Sequence, residues 1–185
     1  MKLLIVISLL FVSSCEMNLS NVKLEPNLTT DEVRLNKNIK FDVKVFDKRP
    51  YTKFIGYRGF GQHRASIGND QDLKDLIKKE IINALNEKGF NYYDKANNKI
   101  NIYLLNLNYK AFRYRKSISI NTLFELELLN RNNNIIYHNL YRSELNRSIG
   151  SFAPKAIEDE RDINNSFQQA LQSIIDDQDL IQSLR

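Results

Sequence analysis

Residues 39–45 alternate apolar and polar side chains, with Ile39, Phe41, Val43 and Val45 set against Lys40, Asp42 and Lys44. A period of two sends the two sets to opposite faces, so the stretch reads as a half-buried strand. Asp47-Lys48-Arg49-Pro50 ends it, because proline removes a ladder donor and pushes its predecessor out of the helical region. A second short strand is predicted over residues 54–57. Gly56, Gly59 and Gly61, three of only six glycines, indicate a mobile loop before residues 65–67.

The period then lengthens. Leu73, Leu76, Ile77, Ile81, Ala84 and Leu85 fall on one helical stripe, with Asn69 or Asp70 as the N-cap and Gly89 at the left-handed C-terminal position. Residues 90–93 read as a strand leaving this helix, and Asn97-Asn98 as a turn into the next. There Ile100, Ile102 and Leu104 keep one phase while Leu105, Leu107 and Tyr109 take the other, which a bulge or a twist near Leu104 would reconcile. The longest alternation follows, Ile118, Ile120, Thr122, Phe124, Leu126 and Leu128, with a hairpin turn at 130–134 and a partner strand over 135–147. After a loop with Gly150 and Pro154, a second amphipathic helix carries Ile163, Phe167, Ala170, Leu171, Ile174 and Ile175. One-sided strands with one-sided helices predict an α+β fold. The expected form is an antiparallel sheet of about five or six strands, with two amphipathic helices packed on one face in two layers.

Ahead of these elements, Lys2 precedes an apolar run over residues 3–11 and then Val12-Ser13-Ser14-Cys15. Charged head, apolar middle and small-residue cleavage site make a secretory peptide. Its apolar run is well short of the roughly 20 residues that span a bilayer. Cys15 is the only cysteine, and its setting resembles the lipobox of bacterial lipoproteins, in which the cysteine is acylated and becomes the new N-terminus. One cysteine cannot make an internal disulfide, so stability rests on the core. Residues 16–38 are polar, contain Pro26 and show no sustained period; as a flexible tether they would reach on the order of 25–30 Å. The organisation expected is a signal over 1–14, a lipidated flexible tether over 15–38 and a single α+β domain over 39–185.

Removing residues 1–14 removes one of the 27 basic residues and none of the 22 acidic ones, which leaves a net charge of +4. So mild an excess is not the concentrated footprint of a nucleic-acid binder, and export argues against that partner too. His63 and His138 lie in no metal-ligand spacing, and neither a Gly-x-Ser-x-Gly elbow nor a phosphate-binding glycine loop occurs. No metal, cofactor or catalytic residue is therefore expected, and the chain reads as a non-enzyme.

Three places hold binding chemistry. Arg49 in Asp47-Lys48-Arg49-Pro50 either clamps its own turn through Asp47 or binds an anion. Arg58, with Tyr57 and Phe60 in the glycine-rich stretch, belongs either to a solvent loop or to a binding lip. Lys110, Arg113, Arg115 and Lys116, interleaved with Tyr109, Phe112 and Tyr114, form either a solvated hairpin tip or a contact for an anionic lipid, glycan or acidic protein.

The lipobox, Phe41-Asp42-Val43-Lys44-Val45-Phe46-Asp47-Lys48-Arg49-Pro50, Ile55-Gly56-Tyr57-Arg58-Gly59, Gln71-Asp72-Leu73-Lys74-Asp75-Leu76 and Glu87-Lys88-Gly89-Phe90 together resemble the YajG-type lipoproteins of Gram-negative bacteria. The resemblance continues through Ile100-Asn101-Ile102, the long hairpin and a last helix ending at Asp177-Gln178-Asp179-Leu180. It implies a small α+β domain on the outer membrane, facing the periplasm, and brings no agreed activity, cofactor or catalytic residue. Glu16 is not the aspartate of inner-membrane retention, although it is chemically close to one. The function expected is a docking module attached to the membrane through acylated Cys15. The alternative is an accessory lipoprotein subunit of an envelope transport or lipopolysaccharide and lipid assembly machine.

Overall fold

The computed structural model describes residues 20–30, 38–59, 64–150 and 156–185. The signal with Cys15, and Glu16, Phe60, Gly61, His63 and Pro154, lie outside the described residues. Eleven elements run through the described residues. They are β1 (Ser20–Asn21), β2 (Lys40–Asp47), β3 (Phe54–Arg58), β4 (Ala65–Gly68), α1 (Leu73–Glu87), β5 (Asn91–Tyr92), β6 (Asn98–Phe112), β7 (Ser117–Leu129), β8 (Ile135–Ser148), α2 (Ala156–Ile175) and α3 (Gln178–Ser183).

The fold is α+β, but its curved sheet is mixed and has eight strands among the described residues where an antiparallel one of five or six was expected. The hub is β6. On one side it pairs antiparallel with β7 along its whole length, and β7 with β8. On the other side two parallel strands share it, β2 from Phe41↔Asn98 to Asp47↔Leu104 and β3 at Gly56↔Tyr109. Alternation reports which side chains are buried, not which way the neighbouring strand runs. A parallel pair needs a long crossover, and α1 lies within the one joining β2 to β6.

The phase switch in β6 is a bulge, since the register with β7 shifts between Leu104 and Asn106. One extra residue flips the parity, so Ile100, Ile102 and Leu104 before it and Leu107 and Tyr109 after it are all buried. Gly56 belongs to β3 and not to a loop: a Cβ there would sit 2.1 Å from the Tyr109 carbonyl oxygen. Only a glycine lets β3 approach β6 so closely.

Asp72, rather than Asn69 or Asp70, caps α1, accepting from the Lys74 and Asp75 amides at 3.0 and 3.4 Å. Asn69 is buried instead and donates to the Val22 carbonyl at 2.7 Å. Gly89 takes the expected left-handed conformation, φ 91°. The buried stripe of α2 meets β7 where the Phe124 and Phe167 rings lie 5.7 Å apart and the Thr122 and Ser166 hydroxyls bond at 2.9 Å. The C-terminal stretch is a separate third helix, α3. Asp177 starts it by accepting from the Asp179 and Leu180 amides, and Leu180, Ile181 and Leu184 join the core.

The described part of the expected tether, residues 20–30, is packed. Its first two residues pair with β4, and Val22 and Leu24 are only 2% and 1% exposed. Beyond them the extended backbone runs along α2 on a ladder of side chains. The amides of Lys23, Glu25, Asn27 and Thr29 donate to Glu160, Asn164, Gln168 and Gln172. The carboxamides of Asn164, Gln168 and Gln172 return bonds of 2.8 Å to the carbonyls of Lys23, Asn27 and Thr29. The two periods match, because four helical residues rise about 6 Å and two extended ones about 6.6 Å. Val22, Leu24, Pro26 and Leu28 are the alternation that marks this strap in the sequence.

Candidate functional site

Past the bulge, β6 carries Tyr109, Lys110, Ala111 and Phe112 to the edge of the sheet, where residues 113–116 turn the chain into β7. The turn closes through the Lys116 amide on the Arg113 carbonyl at 3.3 Å, with Lys116 at φ 44°. Beside it stand Tyr57 and Gly59 at the end of β3, and Arg64 just before β4. Together they enclose a groove of about 500 Å³. Its cations are Arg64, Lys110, Arg113 and Arg115, its rings are those of Tyr57, Phe112 and Tyr114, Tyr109 lines it with its own ring buried, and no acidic side chain is among the described residues that line it.

Two of the guanidinium groups rest on the rings, Arg64 at 4.1 Å from the Tyr57 centroid and Arg115 at 5.8 Å from that of Phe112. Cation–π contact orients each planar head without consuming its hydrogen-bond donors. Tyr114 is 99% exposed. The groove thus brings together the basic hairpin tip and the glycine-rich stretch, which are far apart in sequence. Arg64 was missed: alone before an apolar stretch, it carries no sequence signal, and only the β3–β4 pairing places it here.

The other candidate residues lie elsewhere. Lys116 does not line the groove, and its carbonyl accepts from the Ile149 amide at 2.6 Å. Arg49 is the turn clamp, with a side chain 3% exposed, Nε and Nη2 on the Asp47 carboxylate at 2.9 and 2.7 Å, and Nη2 also on the Thr52 carbonyl. Arg58 follows Tyr57 on the strand and turns the opposite way, its Nε donating to Asp159 at 2.6 Å.

Asp159, in the first turn of α2 and wholly buried, is the centre of a second polar cluster. Besides Arg58 it accepts from the Tyr109 hydroxyl at 3.0 Å and Arg147 Nη2 at 3.3 Å. Arg147 also reaches Asp162 at 2.6 Å and Glu158 at 2.8 Å. Burial pushes the Asp159 carboxyl above its ordinary value, and the bonds from Arg58 and Tyr109 offset only part of that. Burial and the neighbouring Asp159 charge likewise drive the Tyr109 hydroxyl strongly upward, so it stays a donor. The Tyr109 side chain is therefore buried beneath the groove, with its hydroxyl engaged by Asp159. This cluster went unread because Asp159 looks like an ordinary acidic residue of a first helical turn. Among the described residues no group of three or more His, Cys, Asp or Glu side chains is placed to hold a metal ion.

A family model described as an uncharacterized lipoprotein matches residues 26–185. The chain belongs to that lipoprotein family. The match opens at Pro26, inside the strap, so the lipoprotein domain takes in part of the stretch expected to be a tether. No curated protein sequence matches the chain. Among solved structures, a Xanthomonas campestris protein of the DUF330 family superposes with a TM-score of 0.59 at 9% identity, over 85% of this lipoprotein and 92% of that chain. The hypothetical protein CT253 of Chlamydia trachomatis gives 0.50 at 10%, over 75% and 94%. A lipoprotein of Neisseria meningitidis gives 0.41 at 7%, over 62% and 88%. At such identities the first two likenesses are of fold. No described helix is long and apolar enough to cross a membrane.

Proposed function

We propose that this lipoprotein is a non-enzymatic docking module of the cell envelope, held by acyl chains on Cys15 at the periplasmic face of the outer membrane. In this reading the helices form a second layer on one face of the sheet, and the groove at the β6–β7 turn recognises an anionic partner. The observation that carries it is the groove itself: four cations and three rings around one cavity, with no described acidic residue among its lining. That is recognition chemistry. The packed strap adds a distance, since Ser20 is five positions beyond Cys15 and an extended chain spans at most about 18 Å over those five steps. The domain would then sit against the membrane rather than stand off from it. Each buried methylene contributes about 0.8 kcal/mol, so several acyl chains make the attachment effectively permanent.

Intact mass and membrane fractionation of the native protein, beside a Cys15→Ser variant, test the anchor. Acylated protein in the outer-membrane fraction, lost in the variant, is the expected result. Acylated protein in the inner-membrane fraction would correct the location alone, and an unmodified soluble product cleaved elsewhere would overturn the reading.

A further inference from the structure

We infer that the groove between β3 and the β6–β7 turn is a binding site for a phosphorylated sugar, a ligand class that rests on the docking reading above and narrows it. Charge gives the first half of the argument. Arg64, Lys110, Arg113 and Arg115 converge on one cavity, and none of the four has an ion-pair partner among the described residues. Three arginines elsewhere are paired closely: Arg49, Arg58 and Arg147 each meet a carboxylate at 2.7 Å or less. A phosphomonoester carries about −1.5 to −2 charges at neutral pH and three acceptor oxygens, which matches several guanidinium forks better than a single carboxylate does.

Shape and ring placement give the second half. A cavity of about 500 Å³ lies in the size range of small-molecule sites, and it is larger than a bare phosphate needs. The face of an aromatic ring is electron-rich and apolar, so it accepts the polarised C–H face of a pyranose as it accepts a cation. Arg64 covers Tyr57 and Arg115 covers Phe112, while Tyr114 stands at the rim with its ring 99% exposed. The cations then hold the phosphate, and Tyr114 closes over the sugar attached to it.

The test is titration of the full-length purified protein in detergent with glucose 1-phosphate, inorganic phosphate and glucose, read by calorimetry and by tyrosine fluorescence. Glucose 1-phosphate is expected to bind at least tenfold more tightly than inorganic phosphate, with no binding of glucose. Tyr114→Ala, at a fully exposed position, should reduce glucose 1-phosphate to the affinity of inorganic phosphate. Arg113→Gln with Arg115→Gln should weaken both phosphates at least tenfold with an unchanged melting temperature. Equal affinities for the two phosphates in the unaltered protein, or no saturable binding of either, would overturn the proposal. Vesicles bearing a phosphorylated glycolipid separate the sources: competition by glucose 1-phosphate for vesicle binding assigns a lipid-borne sugar phosphate, and titration without vesicle binding assigns a free one. Because the titration uses purified protein, its failure leaves the Cys15 anchor standing, and failure of the anchor leaves the titration readable.

Discussion

Two clusters of positive charge lie back to back where β3 meets β6, and they are built to opposite rules. Beneath the sheet, Arg58 and Arg147 converge on Asp159, Asp162 and Glu158, and every contact is an ion pair or a charge-assisted hydrogen bond. At the sheet edge, Arg64, Lys110, Arg113 and Arg115 meet rings and one another's fields, with no described carboxylate in the groove. The divide runs between consecutive residues, since Tyr57 lines the groove and Arg58 reaches Asp159. Strand pleating alone decides it. Tyr109 lies between the two, part of the β6 wall of the groove and donating its hydroxyl to Asp159 on the other side. The contrast separates charge used to hold the fold from charge left available to a partner.

The largest effect should come from the inner cluster. Asp159→Ala removes the acceptor shared by Arg58, Tyr109 and Arg147 and leaves buried donors unmatched, a change expected to cost about 3–5 kcal/mol. Denaturant unfolding measures it; a loss under about 1 kcal/mol would mean that the three donors find water easily and that the cluster is no structural centre. The same residue gives the fold a pH signature. Its carboxyl titrates above the ordinary value in the folded state, because burial penalises the charge. The folded state therefore binds the proton more tightly, and this contribution is complete below the unfolded value and fades as pH rises through the folded one. Asp177, raised by burial but held below its ordinary value by bonds from Tyr137, the Leu180 amide and Tyr141, contributes the opposite slope. The sign is therefore read from the difference: with rising pH across that window the native protein should lose stability relative to Asp159→Asn. Identical slopes would remove the pH assignment.

Much of this contrast was legible in part. The alternation of Ile118, Ile120, Thr122, Phe124, Leu126 and Leu128 places β7 and its buried face, and the parity flip after Leu104 is a real bulge. The groove's basic side was visible as Lys110-Ala111-Phe112-Arg113-Tyr114-Arg115 because those residues are contiguous. Arg64 and Asp159 were not, since their roles depend on pairings at long sequence separation. Arg58, expected in a solvent loop or a binding lip, lies on β3 and bonds Asp159, a pairing at equally long separation. The strap was hidden differently. Val22, Leu24, Pro26 and Leu28 do alternate, but the partner that satisfies their backbone is a row of Asn and Gln on a distant helix.

That row extends the comparison from charged groups to neutral ones. Gln168→Ala together with Gln172→Ala should cost about 1–2 kcal/mol, since net hydrogen bonds contribute roughly 0.5–1.5 kcal/mol each and these are exposed. The loss should be local, with amide exchange accelerated at Asn27 and Thr29 while the α2 core stays protected. Global unfolding of the double variant at ordinary temperature would show instead that the strap is a keystone of the fold.

The smallest effect on stability belongs to the groove. Changing Arg64, Lys110, Arg113 and Arg115 together to Gln should move stability by no more than about 0.5 kcal/mol, because surface substitutions away from caps, cores and buried networks rarely exceed that. The sign is informative. Four like charges around one cavity repel, so the variant should match or slightly exceed the native protein at low salt. With a screening length of about 10 Å at 0.1 M, added salt should raise the native protein's melting temperature toward that of the variant. Melting curves at low and high ionic strength decide it. A variant that loses about 2 kcal/mol at both would place these cations among the groups that hold the fold, and the distinction between the two clusters would collapse.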